Sequence, residues 1–430
     1  MAAEPATQTV ERALARVDVG AIQRNCERLR ATLAGGTELC AVVKADGYGH
    51  GAARCAEAAL AGGASWLAVA TAREAAELRE RGLQARVLVM GALTAADAEI
   101  ALAADADVVA WRAGFATLVA ERAIEAPARV HVKLDTGMGR LGTRDPGEAR
   151  RVADAVAGDE RSELAGLMTH FATADEPGDE HFPLQLARFR VFVDELKADH
   201  PGVIAHAANS AATLREPASH FDLVRCGIAV YGLDPFQRDP ADHGLEPALS
   251  LHSHVGRVER FESGAGAGYG QTWHAAQPTW LATLPIGYGD GWRRGLSNRC
   301  DVLIHGRRRP LVGTVSMDNV TVDLGPEGHV VQPGEPAVLI GAQGEERILC
   351  EEVAGKLDTI NYEVTCGLSP RVPRRHSDGA QTGRSGRSAG RAFREEGRPS
   401  GGRPSTGPID PGRAPDRSSS AEHRSLGPLR

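Results

Sequence analysis

A lysine at the end of an apolar run is the first residue of this sequence that could do chemistry. Residues 41–51 read AVVKADGYGHG, so Lys44 follows three apolar residues and precedes a glycine-rich segment. A rigid scaffold can hold an amine at the carboxyl end of a strand within reach of a ligand, and glycines let the backbone come close to that ligand. Most lysines that follow a strand are solvated, so Lys44 becomes informative only together with other groups.

Other polar residues occupy equivalent places after later apolar runs. They lie in KLDTGMGR (residues 133–140), in Thr169-His170, in Asn209-Ser210, and in the segment that contains Arg225, Gly227 and Ile228. A single histidine such as His170 would more often be a satisfied structural residue. Four chain segments with reactive or hydrogen-bonding side chains at equivalent places indicate one shared site.

The elements that must position these residues alternate regularly over residues 17–232. Short apolar runs alternate with alanine-rich amphipathic stretches, and Thr94 has the position of a helix N-cap. The apolar runs predict strands at residues 38–43, 66–70, 86–90, 107–111, 129–134, 163–168, 203–207 and 223–230. Eight strand and helix pairs predict an α/β fold, a (β/α)8 barrel of the TIM type, with its active site at the carboxyl ends of the strands.

The loops after the seventh and eighth predicted strands are the usual phosphate-binding place of such barrels. Here they offer the Ser210 hydroxyl and the backbone amides of Gly227 and Ile228. A lysine on the first strand that faces a phosphate site suggests pyridoxal 5′-phosphate. In this interpretation Lys44 forms a Schiff base with the cofactor, and Tyr48 helps to hold the phosphate.

After Pro247 the helical pattern stops and strand-like runs follow one another. They lie at residues 249–261, 280–286, 301–305, 315–324 and 337–340, which predicts a smaller all-β domain. The segment GAGAGYG (264–270) has glycine spacing like that of a dinucleotide loop but no βαβ context, so a loop that presents Tyr269 is the better interpretation. His252 and His254 could ligate a metal, although alternate strand residues that pack or face solvent are commoner, and we expect no metal site.

Composition divides the 430 residues into three parts. We predict the barrel over residues 10–247, the β-domain over 248–375 and a disordered tail over 376–430, because the tail is rich in Gly, Ser, Pro and Arg and nearly devoid of apolar residues. Residues 377–430 contain ten arginines and six acidic residues. Since this basic tail lacks aromatic residues interleaved with the charges and any recognisable module, we expect no nucleic-acid partner.

The amino-terminal residues and the cysteines predict a cytoplasmic protein. The first residues, MAAEPATQTVER, are polar, and no apolar run approaches the ~20 residues that a membrane helix needs, so we expect no membrane partner. Seven cysteines are scattered without a C-x-x-C pair, and we expect them to be reduced and mostly buried.

The sequence resembles bacterial alanine racemases over residues 14–375. The shared motifs, in chain order, are AVVKADGYGHG, HVKLDTGMGRLG, THFATAD, RCGIAVYG, GYGQTW, IGYGDGW, GTVSMDN, INYEV and RVPR. Their joint occurrence in this order makes the resemblance very specific. It implies a barrel followed by a β-domain, bound pyridoxal phosphate, and a head-to-tail homodimer in which the partner's second domain completes each site.

The resemblance implies a two-base racemisation of L-alanine and D-alanine, the latter for peptidoglycan. Taking a proton from one face of Cα and returning it on the other needs a base on each side. Lys44 would be one base, and Tyr269 of the other subunit would be the second. In the family, residues matching His170 and Arg225 form a hydrogen-bonded relay to this tyrosine, and the arginine contacts the pyridine nitrogen.

The resemblance also implies a set of substrate-binding and supporting residues. Arg140 would bind the substrate carboxylate, together with the backbone amide of Met317 from the partner. Lys133 matches a lysine that is often carbamylated in the family and thereby orients the arginine, although an ordinary structural lysine stays open. Tyr288 would narrow the entrance, and Asp318 belongs to the same gate.

Together, the residues expected to bind the cofactor come from both predicted domains. They are Lys44, Tyr48, His170, Asn209, Ser210, Arg225, Gly227, Ile228 and Tyr362. Tyr362 would narrow the entrance as well as reach the phosphate. Ser316 and Gly289 depart from the family pattern, which bears on pocket shape and so on strictness for alanine.

Four alternative functions compete with this interpretation. A racemase of broader amino-acid specificity would share all of these residues. A non-catalytic pyridoxal-phosphate-binding barrel would share Lys44 but lack a β-domain and Tyr269. A decarboxylase or dehydratase of the same cofactor group would need a different substrate gate and would usually carry an acid in place of Arg225. A metal-dependent hydrolase with a carbamylated lysine would need a His-x-His motif on the first strand.

Overall fold

The structure is a computed structural model that describes residues 11–378. The tail predicted to be disordered therefore lies outside the described residues from position 379 onward. Strand β1 (Ala13–Asp18) and the helix Val19–Ala31 lead into the barrel. In this part of the chain, no helix combines the length and the apolar character that a membrane crossing requires.

Eight parallel strands of the described chain form a closed barrel, and neighbouring strands are consecutive in sequence. They are β2 (Glu38–Val42), β3 (Trp66–Val69), β4 (Arg86–Val89), β5 (Ala106–Ala110), β6 (Ala128–Lys133), β7 (Ser162–Met168), β8 (Ile204–His206) and β9 (Leu223–Cys226). The pairing of β9 with β2 closes the ring. Each strand overlaps one of the eight predicted runs, so the predicted (β/α)8 barrel is confirmed.

Helices between the strands cover the outside of the barrel. They span Ala52–Ala61, Ala72–Glu80, Ala95–Ala103, Ala113–Arg122, Pro146–Ala157, His181–Asp199 and Ser210–Arg215. Thr94 is an N-cap, as predicted, because its side chain accepts a hydrogen bond from the amide of Asp97. Such a cap stabilises a helix by ~1 kcal/mol.

The second part of the chain is rich in β-structure, as predicted. Its strands are β10 (Leu249–His254), β11 (Arg257–Phe261), β12 (Gly266–Ala267), β13 (Trp273–His274), β14 (Thr279–Leu284), β15 (Asp301–Ile304), β16 (Arg307–Val312), β17 (Val320–Gly325), β18 (Pro336–Gln343), β19 (Glu346–Ile348) and β20 (Arg374–Ser377). Among residues 11–378, β12 and β13 pair only with each other, and the other nine join β1 in a ten-stranded sheet. In that sheet β1 is antiparallel to β10 and parallel to β20.

The second part differs from the predicted all-β pattern in local detail. The run at 249–261 is two strands, because the chain breaks the ladder at Val255 and Gly256. In the run at 315–324 the strand begins only at Val320, and the residues before it form the loop that carries Met317. Two helices, Cys350–Leu357 and Asn361–Cys366, also lie in this part. The boundary predicted at 247/248 stays a prediction, since β1 enters the second sheet from the start of the chain.

Candidate active site

Lys44 lies two residues beyond the end of β2 and begins a left-handed turn. Ala45, Asp46 and Gly47 have φ of 54°, 52° and 62° with ψ near the same values, and Tyr48 has φ 53°. Left-handed backbone costs ~1–2 kcal/mol for each residue other than glycine. Such strain persists only where the surroundings hold it, and it is concentrated at functional sites.

Hydrogen bonds between the turn and the residues around it hold it in this shape. Nδ1 of His50 donates to the carbonyls of Gly47 and Tyr48, at 3.0 Å each. The carboxylate of Asp46 accepts from the amide of Ala52 at 2.8 Å, and that of Glu74 accepts from the amide of Ala45 at 2.7 Å. The turn therefore fixes Lys44 and Tyr48 relative to the strand.

A cradle of hydroxyl and amide groups lies after β8 and β9. Oγ of Ser210 accepts from the amides of Gly227 at 3.0 Å and Ala229 at 3.3 Å. A Cβ at Gly227 would lie 2.2 Å from the hydroxyl of Tyr48, so only glycine fits beside that ring. Asn209 caps the helix that begins at Ser210, since its side chain accepts from the amide of Ala212 at 3.0 Å.

Several cationic side chains share the mouth of the barrel. Burial and the charge of Arg140 lower the pKa of Lys44. Burial, with the charges of Arg225 and Arg140, lowers the pKa of Lys133 to about 7. Burial and Arg225 also lower the pKa of His170 well below its ordinary value. Each positive charge here disfavours the protonated form of its neighbours, so an anionic ligand would be stabilised at the mouth.

Arg225 is buried and makes several hydrogen bonds with the barrel. Its Nη2 donates to the carbonyls of Thr169 at 2.9 Å and Ala207 at 3.0 Å, and lies 3.3 Å from Nδ1 of His170. Its Nη1 donates to Nδ1 of His206 at 2.8 Å. Within residues 11–378, its Nε–H donates to no acceptor and so stays available as a donor.

Two family models match the chain. Residues 17–235 match the model described as alanine racemase, N-terminal domain, and residues 248–376 match that described as alanine racemase, C-terminal domain. The chain belongs to the alanine racemase family.

Individual alanine racemases align over nearly the whole described chain. This chain is 44% identical over 365 residues to the alanine racemase of Symbiobacterium thermophilum, which covers 84% of this chain and 96% of that protein. It is 42% identical over 366 residues to that of Geobacillus stearothermophilus, with 84% of this chain and 92% of that protein covered. A crystal structure of alanine racemase from D-cycloserine-producing Streptomyces lavendulae has a TM-score of 0.81 at 38% identity and covers 87% of this chain and 99% of that chain.

Three of the residues that the alanine racemase resemblance assigned to the second domain lie on its surface. The exposed fractions are 69% for Tyr269, 40% for Tyr288 and 52% for Met317. The amide of Tyr288 donates to the carbonyl of Ser316, which brings Tyr288 beside the loop of Met317. Asp318 in the same loop pairs with Arg371 at 2.6 Å. In the described chain, no hydrogen bond joins Tyr269, Tyr288, Met317 or Asp318 to the barrel mouth.

The barrel residues assigned from the alanine racemase resemblance lie around that mouth. Lys44, Lys133, Arg140, His170 and Arg225 are close enough to perturb one another's charge. The rings of Tyr48 and Tyr362 lie 5.9 Å apart beside the cradle. The structure therefore gathers the barrel residues and Tyr362, and leaves the other second-domain residues facing outward.

Sequence reasoning missed three buried residues behind Arg225. His206 contacts His131, which in turn contacts Asp107 near the amino-terminal end of β5. Burial alone would raise the pKa of Asp107, but hydrogen bonds from His131 and from two arginines lower it to about 2. One signal could have found His131, since it lies two residues before Lys133 on one strand and so points to the same side.

Proposed function

We propose that this protein interconverts L-alanine and D-alanine with pyridoxal 5′-phosphate as its cofactor. The grouping of a half-buried lysine, a hydroxyl and amide cradle, and a buried arginine at one end of the barrel carries the proposal. Membership of the family supports the same reaction, because the relatives named above are alanine racemases. When bound, the cofactor would supply an electron sink that acidifies the proton on Cα of an attached amino acid.

The phosphate would be held by the cradle after β8 and β9. Oγ of Ser210 already accepts from two amides, so its hydroxyl hydrogen is left to donate to a phosphate oxygen. The amide of Ile228 begins a short 3-10 helix and has no acceptor inside it. Gly227 leaves space against Tyr48 that a side chain would fill. Tyr362 and Asn209 flank this cradle.

The other end of the cofactor would meet Arg225 and Lys44. The free Nε–H of Arg225 can donate to a ring nitrogen, and a guanidinium has no proton to give away at neutral pH. Lys44 would hold the cofactor covalently and, once released by substrate, would accept the proton from one face of Cα. Its lowered pKa favours the neutral amine that this role needs.

The second base would be Tyr269 of the partner subunit. Tyr269, Tyr288 and Met317 are large side chains that stay exposed on one chain, which is typical of a surface that another protein covers. A homodimer that seats this surface on the partner's barrel would put a base on each side of the substrate. His170 and Arg225 would then stabilise the partner's tyrosine.

Arg140 would bind the substrate carboxylate, with the partner's Met317 contributing its amide. The loop that carries Arg140 is held by one buried carboxylate. Asp135 accepts from the amides of Gly137 at 3.0 Å, Met138 at 2.7 Å and Gly139 at 3.0 Å. A loop fixed in this way keeps the guanidinium near Lys44 without holding it by a direct bond.

The decisive experiment is incubation of the cofactor-loaded protein with each alanine enantiomer in deuterated water. We expect deuterium at Cα and formation of the opposite enantiomer, measured by mass spectrometry and chiral chromatography. Protein that carries the cofactor yet neither exchanges the α-proton nor racemises would refute the proposal. L-serine as a parallel substrate distinguishes strict alanine racemisation from broader specificity.

Tyr269→Phe tests the two-base assignment. Removal of a positioned base typically costs about 100-fold or more, so we expect proton removal from L-alanine to slow by that factor while cofactor binding is unchanged. The measurement is single-turnover exchange together with the absorbance of the bound cofactor. An equal loss of cofactor binding would mean that Tyr269 is structural.

A cytoplasmic location stays part of the proposal. Its support is that all seven cysteines lie within residues 11–378, are free, and six of them are buried. Thiols in this state are typical of a reducing compartment.

A further inference from the structure

A line of hydrogen-bonded side chains crosses the barrel interior behind Arg225. Nη1 of Arg225 lies 2.8 Å from Nδ1 of His206, and Nε2 of His206 lies 2.7 Å from Nδ1 of His131. Nε2 of His131 then lies 2.8 Å from a carboxylate oxygen of Asp107. All four side chains are buried. The line therefore connects the active-site end of the barrel with its opposite end.

The protons on this line can point in only one direction. A guanidinium donates and never accepts, so Nδ1 of His206 carries no proton. The proton of that neutral ring then lies on Nε2 and is donated to Nδ1 of His131. His131 must carry its own proton on Nε2 and donate it to Asp107, which as a carboxylate only accepts. Burial and the charge of Arg225 lower the pKa of His206 well below its ordinary value, which agrees with a neutral ring.

The barrel makes room for the line and fixes its far end. A Cβ at Gly166 on β7 would lie 2.1 Å from Nδ1 of His131, so this position needs glycine even though glycine weakens a strand interior. The ring of Trp66 packs edge-on against His131 at 5.9 Å, and the guanidinium of Arg86 lies 4.1 Å above Trp66. Arg86 also pairs with Asp107 at 2.7 Å.

We propose that Asp107 and His131 are positioning residues that, through His206, hold Arg225 as a fixed donor towards the cofactor ring. The inference rests on the proposed function, because the ring nitrogen that accepts from Nε–H belongs to the proposed cofactor. A proton on Nδ1 of His206 would point at the N–H of Arg225 and force the guanidinium to turn.

The carboxylate at position 107 prevents the hydrogen bonds along the line from reversing their direction. Asp107 cannot donate to Nε2 of His131, so the proton of each histidine ring stays on Nε2 and cannot move to Nδ1. An asparagine could, since its amide both donates and accepts. The same substitution at the carboxylate of a serine protease triad leaves the geometry intact and yields the wrong histidine tautomer.

The first test observes the histidine protons in the unchanged, cofactor-loaded protein. With 15N-labelled histidine, NMR reports whether each ring nitrogen carries hydrogen. At pH 7 we expect His131 and His206 to be neutral with the proton on Nε2, the two signals being assigned by their loss in His131→Asn and His206→Asn. A proton on Nδ1 of either ring, or a doubly protonated ring, would overturn the proposal. This test needs no variant to be active.

The second test uses Asp107→Asn with Asp105→Asn as a matched control. Asp105 also pairs with Arg129, but its side chain is 74% exposed and lies outside the line. We expect Asp107→Asn to lower kcat about 10–100-fold, a range typical of lost supporting hydrogen bonds, with KM for alanine nearly unchanged. It should also shift the absorbance band of the bound cofactor and populate the Nδ1-protonated tautomer. The control should do none of these.

Either of two results from folded variants would contradict the positioning role. One is unchanged kcat and tautomers in Asp107→Asn, and the other is an equal effect of Asp105→Asn. A different result would refute the proposed function, namely cofactor-loaded protein that does not exchange the α-proton. That result is independent of which histidine tautomers are present. A protein that racemises with Nδ1 of His206 protonated refutes only the present inference.

Discussion

At the scale of single residues, position inside the barrel changes what a side chain can do. Burial and the charges of Arg225 and Arg140 lower the pKa of Lys133 to about 7, whereas an ordinary lysine stays charged far above neutrality. A large share of this amine is then neutral at pH 7 and able to attack carbon dioxide. A carbamate would place a negative charge beside Arg140 where a charged lysine would repel it. This negative charge could orient the guanidinium of Arg140, which is the role expected for Lys133.

We expect protein incubated with 13C-bicarbonate to show a carbamate carbonyl signal by NMR. The neutral fraction of the amine increases as pH rises through 7, so the signal should grow between pH 6 and pH 8. Lys133→Arg should abolish it, while Lys197→Arg, at a lysine paired with Asp222, should leave it unchanged. A signal that persists in Lys133→Arg would assign the carbamate elsewhere.

His50 is a second buried base, and its role is to hold the backbone of the turn after β2. Burial lowers the pKa of His50 to about 4, below its ordinary value of 6.5. As pH falls, the unfolded chain binds this proton first, so the free energy of unfolding should decrease by about 2 kcal/mol between pH 7 and pH 5 from this group alone.

Urea unfolding at pH 7 and pH 5 measures that decrease. His50→Asn keeps a donor for the two carbonyls but cannot be protonated. Between pH 7 and pH 5 its free energy of unfolding should therefore decrease by about 2 kcal/mol less than that of the unchanged protein. His274→Asn, at an exposed histidine, is the control. Equal acid sensitivity of His50→Asn and the unchanged protein would show that His50 is not the group responsible.

At the scale of elements, the loops after β2, β8 and β9 build the site by close backbone approach. One of these close contacts is at Gly227, whose missing Cβ faces the hydroxyl of Tyr48. The left-handed turn after β2 places that hydroxyl. The cradle and the turn therefore depend on each other, although they are some 180 residues apart in sequence.

Gly227→Ala should weaken pyridoxal phosphate binding about tenfold or more, because the added methyl group must displace Tyr48 or the cradle. Gly114→Ala is the matched control, since nothing lies within 4 Å of a Cβ there and the position is helical. Equilibrium dialysis with the cofactor is the measurement. Equal affinity of both variants would mean that the cradle does not hold the phosphate.

Strand periodicity made the barrel predictable, while two arginine-rich strands of the second sheet were not predicted. Each barrel strand is a short apolar run, so all eight could be predicted from sequence. By contrast, β16 (RRRPLV) and β20 (RRHS) carry arginines and lack an apolar pattern. Their place depends on pairing with β15 and β1, which local sequence does not encode.

The candidate site could be proposed from sequence where the chemistry is local. Lys44 and Ser210 stand in short motifs at strand ends. The contact between His131 and His206 joins residues 75 apart and depends on which strand faces point inward. The left-handed turn was also missed, because Ala45 and Tyr48 within it are residue types that rarely adopt such backbone.

At the scale of the whole molecule, we expect each active site of a homodimer to take residues from both subunits. If Tyr269 acts on the partner's Lys44, then Lys44→Ala and Tyr269→Phe should complement each other. In a mixed dimer of the two variants, one site carries both defects and the other carries none. Random exchange of equal amounts should therefore restore about a quarter of the unmutated activity per site.

The measurement is racemase activity after mild dissociation and reassociation of the two variants together. Each variant treated alone is the control and should stay inactive. Absence of any gain in a mixture that contains mixed dimers would mean that each subunit uses its own Tyr269.

The pairing of β1 with β20 affects the order in which the protein can fold during synthesis. Ala15 pairs with Arg374, 359 residues later, so one edge of β1 stays open for about 20–70 s of translation. The barrel is different, since most of its strands pair with the next strand to emerge. An open strand edge can pair with another nascent chain. The four residues of β20 therefore determine when the earliest strand becomes protected from aggregation on the ribosome.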